Sequence, residues 1–169
     1  WYPEFMFKRY ENWVNGLEWD WSISRNRHFG IPIPVWYCEK CEEIILPEEK
    51  ELPVDPLQTK KKCPKCEENA EPEKMVLDTW ATSSLTPQIA AALPQAKGKV
   101  KLPFSLRPQG HDIIRTWAFY TIVKAYLHEK EIPWEDIIVS GNVSLGGEKM
   151  SKSKGNTVDP VEVMGEHGA

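Results

Sequence analysis

The stretch LPFSLRPQGHDIIRTWAFYTIVKAYLHEKEIPWEDIIVSGN, residues 102–142, decides the fold. It opens with an apolar run over 102–106 that predicts a strand, and the sequence RPQGH at 107–111 is expected to end that strand. Apolar residues at helical spacing then predict a helix over 112–129, and the continuous apolar run at 137–139 predicts a second, buried strand. Strand, loop, long helix and strand make half of a parallel α/β unit, so we expect an α/β fold.

Two polar segments of this stretch are candidates for a binding site. In parallel α/β sheets, ligands bind at the carboxyl ends of the strands. The segments 109–112 and 140–142 follow the two predicted strands, so we expect them on one rim of the sheet. Asp112 also suits the N-cap of the predicted helix. The apolar stripe expected on that helix consists of Ile114, Trp117, Ala118, Thr121, Ile122, Ala125 and Tyr126.

The loop that follows is rich in lysine. Its sequence KMSKSK, residues 149–154, alternates lysines with smaller side chains, and Gly146, Gly147 and Gly155 flank it. Glycines leave the backbone free to move, so such a loop can close several cations around a polyphosphate. For a sequence of this kind taken alone, a solvated lysine run is the ordinary alternative.

Upstream segments predict shorter elements. Apolar residues at steps of four and three predict an amphipathic helix over 4–17. Alternation of Trp and Ile with polar residues predicts a half-buried strand over 19–24. The apolar run 31–37 contains two prolines, which suits an edge strand. A short buried strand at 75–77 and a brief helix at 88–93 follow.

All four cysteines of the chain lie in two CxxC pairs that are separated by 21 residues. Two such pairs indicate one tetrahedral zinc site, because thiolates three residues apart in a tight turn bind a single metal ion. The expected ligands are Cys38, Cys41, Cys63 and Cys66. A zinc ion with four cysteine ligands has no open position for water, so we expect a structural site. Two disulfides or four free thiols are the alternatives.

The composition is that of a soluble globular chain, with 169 residues, 41% of them hydrophobic and 27% charged, and a net charge of −4. Residues 39–74 hold seven lysines and eleven acidic residues, so the negative excess lies there. This balance excludes a protein that binds nucleic acid through a broad basic surface. No apolar run approaches the roughly 18 to 20 residues of a membrane span. Because no signal peptide is visible either, we expect a cytoplasmic protein without a membrane or DNA partner.

Several segments match one known family. The sequence KMSKS, residues 149–153, is identical to the second signature of the class I aminoacyl-tRNA synthetases. Four further segments occur in the order seen in that family: WSISR at 21–25, FGIPIPVW at 29–36, LDTWATSS at 77–84 and RPQGHDIIRTW at 107–117. The whole chain resembles the valine-specific members, in their archaeal-type form. The isoleucine-specific members, the nearest alternative, would differ after Asp78 and carry Ser-Asp-Gln-His at 111–114.

The resemblance implies a partial catalytic domain. The other class I signature, His-Ile-Gly-His, does not occur in this sequence; in the family it lies on the first half of the nucleotide-binding fold, before an inserted editing domain. The chain resembles the second half of a class I Rossmann-like catalytic domain, formed by 1–37 and 74–169, with an inserted zinc ribbon at 38–73. It begins at Trp1 and stops within a predicted helix, as an excised fragment would. We expect such a fragment to be inactive or weakly active alone and unable to edit.

The resemblance also assigns roles in an ATP site. It implies that ATP, with Mg²⁺, activates valine to valyl-adenylate, which is then transferred to tRNA(Val). Lys149 and Lys152 are the catalytic residues expected to hold the departing pyrophosphate. Arg25 and Arg27 are expected either to contact tRNA phosphates or to form surface salt bridges. The other residues expected at the ATP and adenylate are Gln109, Gly110, His111, Asn142, Val143, Met150, Ser151 and Ser153.

A valine pocket is expected near the start of the long helix. Trp80, Ile113 and Trp117 resemble its walls, and Asp112 resembles the group that binds the substrate ammonium. Ordinary core packing for Trp117 and helix capping for Asp112 are the alternatives. A second hypothesis, from a different class of function, is a non-catalytic zinc-ribbon binding module, which the cysteine pairs alone would suggest.

Overall fold

The computed structural model describes residues 1–168. Its helices are α1 (Phe7–Asn15), α2 (Thr79–Ser83), α3 (Thr86–Ala92), α4 (Phe119–Glu129) and α5 (Pro160–His167). Its strands are β1 (Ser24–Arg25), β2 (Trp36–Tyr37), β3 (Ile44–Ile45), β4 (Glu71–Pro72), β5 (Val76–Leu77), β6 (Phe104–Gly110), β7 (Trp134–Ser140), β8 (Ser144–Leu145) and β9 (Glu148–Lys149). Ala169, the last residue of the segment 74–169 that is assigned to the catalytic half-domain, lies outside the described residues. Within 1–168, no helix has the length and apolarity needed to cross a membrane.

The parallel pair of β6 and β7 confirms the predicted α/β unit. The two strands align from Phe104 opposite Trp134 to Gly110 opposite Ser140, and α4 lies between them in the chain. Phe104 of β6 packs against the main core, which side chains of β7 and of the intervening helical turns form: Ile114, Trp117, Trp134, Ile137 and Val139. The apolar run of β7 becomes a strand here because burial against the helical turns removes its side chains from water.

The first of these strands is longer than the sequence predicts. β6 continues through Arg107 and Pro108 to Gly110, where a break over 107–111 is expected. Proline fixes φ in a range that extended backbone also uses. Because β6 has one paired neighbour among the described residues, it is an edge strand that tolerates the lost amide donor. The strand ends instead at Gly110, where the chain turns into helix.

The connection to α4 is irregular, and Asp112 does not cap it. A 3₁₀ turn at His111–Ile113 and a π turn at Ile114–Ala118 precede α4, and Gly110 occupies the N-cap position without a side-chain cap. The capping role predicted for Asp112 is wrong, because the chain begins to turn two residues earlier. Most of the predicted apolar stripe is buried, but Tyr126 at its end is 58% exposed.

The N-terminal helix is confirmed. A 3₁₀ turn at Glu4–Met6 leads directly into α1, and Gly16 ends that helix. Met6 and Tyr10, two members of its predicted apolar stripe, pack against the main core. Ahead of the helix, Tyr2 forms a parallel bridge to β7 on the edge opposite β6. The helix is therefore anchored to the same parallel pair that forms the predicted rim.

The strand predicted at 19–24 is wrong. Only β1 forms in this region, and it pairs antiparallel with β5. Trp19 is 66% exposed, and Trp21 stacks on Tyr120, with ring centroids 3.7 Å apart and planes at 6°. The alternating pattern arises because an aromatic side chain packs against α4, not because the backbone pairs in a sheet.

The edge strand predicted at 31–37 is also wrong. β2 is the central strand of a three-stranded antiparallel sheet in the order β3, β2, β4. Pro32 forms an isolated bridge with β5, and Pro34 lies outside the strands, so the missing amide donors fall before the sheet begins. Trp36 is fully buried within this sheet and donates from Nε1 to the carbonyl oxygen of Thr59 at 2.8 Å.

The two remaining predicted elements are present. β5 falls within the predicted strand 75–77, and α3 overlaps the predicted helix 88–93. α2 is an additional short helix that the sequence analysis does not predict. It connects β5 to α3 and presents Trp80 near its first turn.

Candidate functional site

The carboxyl ends of β6 and β7 lie side by side, as the sequence predicts. Gly110 and Ser140 are the last paired residues of the two strands. The Ser140 hydroxyl donates a hydrogen bond to the carbonyl oxygen of Gln109 at 3.3 Å. Asn142 and Val143 follow on the β7 side and are exposed. The structure therefore brings the two predicted segments to one rim.

Gln109 is a buried polar residue at this rim, with 7% of its surface exposed. Its side-chain nitrogen donates to the carbonyl oxygen of Gly110 at 3.4 Å. Its Oε1 is buried and has no hydrogen-bond partner within residues 1–168. An unsatisfied buried acceptor costs free energy, so this oxygen is suited to accept a hydrogen bond from a ligand.

His111 and Asp112 follow Gln109 in the first helical turn. The Nδ1 atom of His111 lies 3.3 Å from a guanidinium nitrogen of Arg9. Asp112 is exposed, and its carboxylate forms no ion pair in the described part of the chain. A Cβ atom at Gly110 would lie 2.6 Å from Oδ1 of Asp112, so a side chain at this position would displace the exposed carboxylate.

Trp117, predicted as a wall of the pocket, lies in the main core and is 8% exposed. Its ring stacks on Trp134 at 5.1 Å between centroids, and its Nε1 donates to the carbonyl oxygen of Ser83 at 3.1 Å. This bond joins α2, which carries Trp80, to the π turn. Trp80 is 39% exposed and Ile113 is half-buried. Trp117 therefore packs as an ordinary core residue, which was one of the two alternatives. Contact between Trp117 and a substrate stays a prediction.

A buried ion pair, not predicted from the sequence, joins Arg25 and Asp78. Their side chains approach to 2.7 Å, and Asp78 is 5% exposed. Asp78 Oδ1 also accepts the amide of Trp80 at 2.7 Å, which caps α2. Of the two alternatives for Arg25, the salt bridge is therefore present, although it is largely buried. An acidic residue directly before a helix start was an available signal for the cap, but it does not indicate the ion pair.

The lysine loop is a hairpin followed by a tight turn. β8 and β9 pair antiparallel around Gly146 and Gly147, which have φ values of 59° and 82°. A 3₁₀ turn at Lys152–Lys154 then ends at Gly155, with φ at 68°. Positive φ values of this kind favour glycine. The glycines therefore shape the loop directly, in addition to the freedom that the sequence analysis attributes to them.

Asn156 is a further residue of this loop that the sequence analysis missed. Its Oδ1 accepts the amide of Ser151 at 2.9 Å, and its Nδ2 donates to the carbonyl oxygen of Lys149 at 3.3 Å. The hydroxyl oxygens of Ser151 and Ser153 lie 2.8 Å apart. The asparagine side chain thus ties together the backbone on both sides of Met150, which is half-buried.

The lysines of the loop differ in their partners. Lys154 forms an ion pair with Glu148 at 3.0 Å. Lys149 and Lys152 are exposed, and neither forms an ion pair within residues 1–168. The side-chain hydrogen bonds and ion pairs of the loop stay within 148–156. Two ammonium groups therefore remain available to an anion, on a loop that follows β7 directly.

The four cysteine sulfurs converge, and all lie within 4.8 Å of one another. The Sγ atoms of Cys38 and Cys66, and those of Cys41 and Cys63, are 3.4 Å apart, and no disulfide joins these four described residues. A tetrahedral zinc ion with Zn–S bonds of about 2.3 Å would separate its sulfurs by about 3.8 Å. The donor set and its spacing fit one closed tetrahedral metal site.

Hydrogen bonds within the cluster move the thiol pKa values in opposite directions. The backbone amide of Cys41 donates to Cys38 and lowers the pKa of that thiol to about 7. The side chain of Cys63 raises the pKa of Cys41 to about 12. Four thiols at these distances repel one another once ionised, so a cation among them favours the thiolate forms.

Comparison with known sequences gives one family. The family model described as "tRNA synthetases class I (I, L, M and V)" matches residues 1–169. The chain is 54% identical to a valine–tRNA ligase of Thermoplasma acidophilum over 173 residues, covering 100% of this chain and 22% of that protein. It is 50% identical to a valine–tRNA ligase of Picrophilus torridus, with 100% and 22% covered. It is 51% identical to that of Ehrlichia ruminantium, strain Welgevonden, with 100% and 21% covered.

Comparison with solved structures agrees with the family. The chain is similar to agnB2 LeuRS of Agrobacterium radiobacter K84, solved as a ternary complex with tRNA and LeuAMS. The match has a TM-score of 0.67 and 26% sequence identity, and it covers 89% of this chain and 23% of the LeuRS chain. The chain thus spans about a fifth of the length of the relatives that it matches.

Proposed function

Because this chain belongs to the class I tRNA synthetase family, we propose that it forms one half of the catalytic site of a valine–tRNA ligase. The observation that carries the proposal is the shared rim, where β6 and β7 end side by side and the lysine loop follows β7. Similarity to valine–tRNA ligases over the whole chain supports valine as the substrate. We further propose a Rossmann-like half-domain of 1–37 and 74–169, with 38–73 as a zinc-ribbon insertion.

In the proposed first step, the valine carboxylate attacks the α-phosphate of ATP. The bond from that phosphorus to the bridging oxygen breaks, and pyrophosphate leaves with Mg²⁺. Nucleotidyl transfer depends on positioning and on neutralising the charge that develops on the leaving group. Lys149 and Lys152 carry this role, since Lys154 already pairs with Glu148. The residues of the loop that support them are Met150, Ser151 and Ser153.

The adenylate would lie across the rim. Gln109 Oε1 is buried without a partner among the described residues, so it can accept a hydrogen bond from a ribose hydroxyl. Gly110 lets the backbone approach the ligand closely, and His111 adds a ring nitrogen beside it. Asn142 and Val143, which are exposed after β7, face the adenine and can read its edge through backbone groups.

The valine would bind beside the first helical turns. The carboxylate of Asp112 is exposed and without an ion pair among the described residues, so it can pair with the substrate ammonium. Trp80, Ile113 and Trp117 supply apolar walls for a small branched side chain. Such a pocket selects weakly by size, and for valine-specific enzymes the rejection of threonine is only about 10²-fold. A separate editing activity, outside this chain, would supply the remaining accuracy.

We also propose that Cys38, Cys41, Cys63 and Cys66 hold one structural Zn²⁺. Four sulfurs within 4.8 Å of one another support this, because they supply a complete tetrahedral ligand set. The ion would join the two cysteine turns and would offer no open position to a substrate. It therefore has no part in the proposed reaction.

The whole ligase would then transfer valine to the 3′-terminal ribose of tRNA(Val). Since the chain spans 22% of a relative's length, we propose that the catalytic site is completed by segments outside it. In this proposal the chain binds the adenylate weakly by itself, because it offers one side of the site.

Titration of the chain with a non-hydrolysable valyl-adenylate mimic tests the proposal. We expect measurable binding that is weakened by Asp112→Asn, and weaker binding of the matched isoleucyl mimic. Equal binding of both mimics would contradict the valine assignment. If the chain folds on adding zinc but binds neither mimic, and the full-length ligase shows no valine-dependent pyrophosphate exchange, a non-catalytic zinc-ribbon module becomes the better description.

A further inference from the structure

The two cysteine turns repeat one another. The sequences CEKCEE at 38–43 and CPKCEE at 63–68 differ at one position. In each turn, the amide of the first cysteine donates to the carbonyl oxygen of the sixth residue, at 2.9 and 2.8 Å. The fifth residue of each has a positive φ, at 57° and 60°. The two turns therefore have the same sequence pattern and the same backbone conformation.

The two turns are joined by ion pairs in which the lysine of each turn contacts the glutamate of the other. Lys40 of the first turn pairs with Glu68 of the second at 2.8 Å. Lys65 of the second turn pairs with Glu43 of the first at 2.5 Å. The lysine is the third residue of each turn and the glutamate is the sixth, so the two ion pairs are equivalent. Both pairs cross from one turn to the other.

The short sulfur–sulfur contacts also run from one turn to the other. The 3.4 Å contacts join Cys38 to Cys66 and Cys41 to Cys63, so each joins the first cysteine of one turn to the second cysteine of the other. Each turn holds only two sulfurs. A set of four ligands therefore exists only when the two turns lie in the correct relative position.

We propose that Lys40, Glu43, Lys65 and Glu68 are positioning residues that hold the two cysteine turns in register for the metal ion. The proposal rests on the zinc site proposed above. The two exchanged ion pairs, here called the lysine–glutamate latch, order the turns before the ion arrives. Preorganisation of this kind increases affinity because less conformational entropy is lost on binding.

One feature distinguishes the latch from an ordinary surface ion pair. A single exposed pair contributes little, since two flexible side chains must be ordered for one contact. The latch has two pairs across the same gap, so the first pair reduces the freedom that the second must lose. By contrast, Lys50 and Glu48 form an exposed pair at 2.6 Å within one short segment. That pair is a matched control, because its loss changes the net charge without opening the gap.

Metal release from the zinc-loaded chain is the first test. We expect Lys40→Glu and Glu68→Lys each to accelerate zinc transfer to an excess of chelator about twofold to fivefold. The double exchange Lys40→Glu/Glu68→Lys is expected to restore the original rate within about twofold. Lys50→Glu is expected to leave it unchanged. Co²⁺ absorption spectra of the variants should keep the tetrahedral form, which separates loss of positioning from loss of a ligand.

Alkylation of the metal-free chain is the second test and needs no bound ion. Cys38 and Cys63 are 2% and 1% exposed, so loosened turns should alkylate faster. Loss of a nearby positive charge alone disfavours the thiolate and slows alkylation. We therefore expect Lys40→Glu to accelerate alkylation of these two thiols and the double exchange to reverse that effect.

The outcomes separate the two proposals. If the unaltered chain binds no zinc but Lys40→Glu still accelerates alkylation, the zinc site fails while the latch stands as a device that holds the turns together. If the double exchange does not restore either rate, the latch is wrong. The same conclusion follows if Lys50→Glu changes both rates as much as Lys40→Glu does, since net charge then explains the effect.

Discussion

The guanidinium carbon of Arg107 lies 3.9 Å from the ring centroid of Trp117, and the same ring stacks on Trp134. Arg107 has a buried Nε without a partner within residues 1–168, and burial lowers its pKa. Its cation is thus stabilised by an aromatic face where an acidic partner would be usual. These two contacts hold the ring of Trp117, a member of the main core, between Arg107 and Trp134.

Replacement of Arg107 should separate packing from charge. We expect Arg107→Ala to lower the free energy of unfolding by about 1–2 kcal/mol, because both the aliphatic stem and the cation–π contact are lost. Arg107→Met keeps the stem and removes the desolvated charge, so we expect a loss below about 1 kcal/mol. Urea unfolding measures both. Equal losses in the two variants would show that the charge, and not the stem, carries the contact.

Asp78 should be among the most sensitive positions outside the core. Asp78→Ala removes the partner of Arg25 and the cap of α2, so we expect a loss of about 2–3 kcal/mol in the free energy of unfolding. Asp78→Asn can keep the cap and should lose less. Urea unfolding again provides the measurement, and a loss below about 0.5 kcal/mol for Asp78→Ala would contradict the importance of this pair.

Glu73 should make the stability depend on pH. Its carboxylate accepts hydrogen bonds from the amides of Met75 and Lys74 and from the Tyr37 hydroxyl, and the first of these contributes most to lowering its pKa. A lowered pKa in the folded chain contributes stability above the ordinary glutamate pKa, and this contribution is lost as pH falls through the folded value. Compared with Glu73→Gln, the unaltered chain should be more stable at pH 7, by less than about 1 kcal/mol. In urea unfolding experiments, the difference should shrink as pH falls below the ordinary glutamate pKa and through the lowered folded value.

Two lysines of the loop offer a matched pair for the reaction. In the full-length ligase, we expect Lys152→Ala to slow valine-dependent pyrophosphate exchange by about 10²-fold, as does the loss of a charge-stabilising donor in other enzymes. Lys154→Ala removes the same charge from the same turn, but Lys154 already pairs with Glu148, so we expect less than about a threefold change. Similar slowing by both substitutions would indicate a general charge effect.

Removal of the metal should loosen the cysteine region. We expect one zinc per chain in protein purified without added metal, and four reactive thiols after treatment with a chelator. Because thiols must lose their protons to bind zinc, the affinity should fall as pH is lowered. Thiol titration and metal analysis check these statements. Four reactive thiols before chelation, together with an absence of zinc, would rule out the site.

The sequence predicts the parallel unit well because each of its strands contains an apolar run and its helix has a clear period. It also predicts convergence of the cysteines, because the spacing within each pair is local. It fails at 19–24, where the alternation of Trp21 with polar residues reflects stacking on Tyr120. Such contacts depend on the fold and leave no local pattern.

The candidate site shows the same division. The common rim of Gly110 and Ser140 follows from topology, which the order of elements determines. The ion pair of Arg25 and Asp78 joins residues far apart in the chain, so only the paired register of β1 and β5 reveals it. The ion pairs of the latch could not be predicted either, because the repeated sequence is short and each lysine pairs with a glutamate of the other turn.

Trp36 and Pro72 lie opposite each other in the sheet of β2 and β4. The chain therefore enters and leaves the cysteine region at nearly the same point. The other members of the small core that buries Trp36 are Cys38, Ile45, Cys63 and Ala70, and all of them lie between these two residues. The cysteine region therefore carries a small core of its own, separate from the main core beside β6 and β7, so a substitution in one core should leave the packing of the other unchanged.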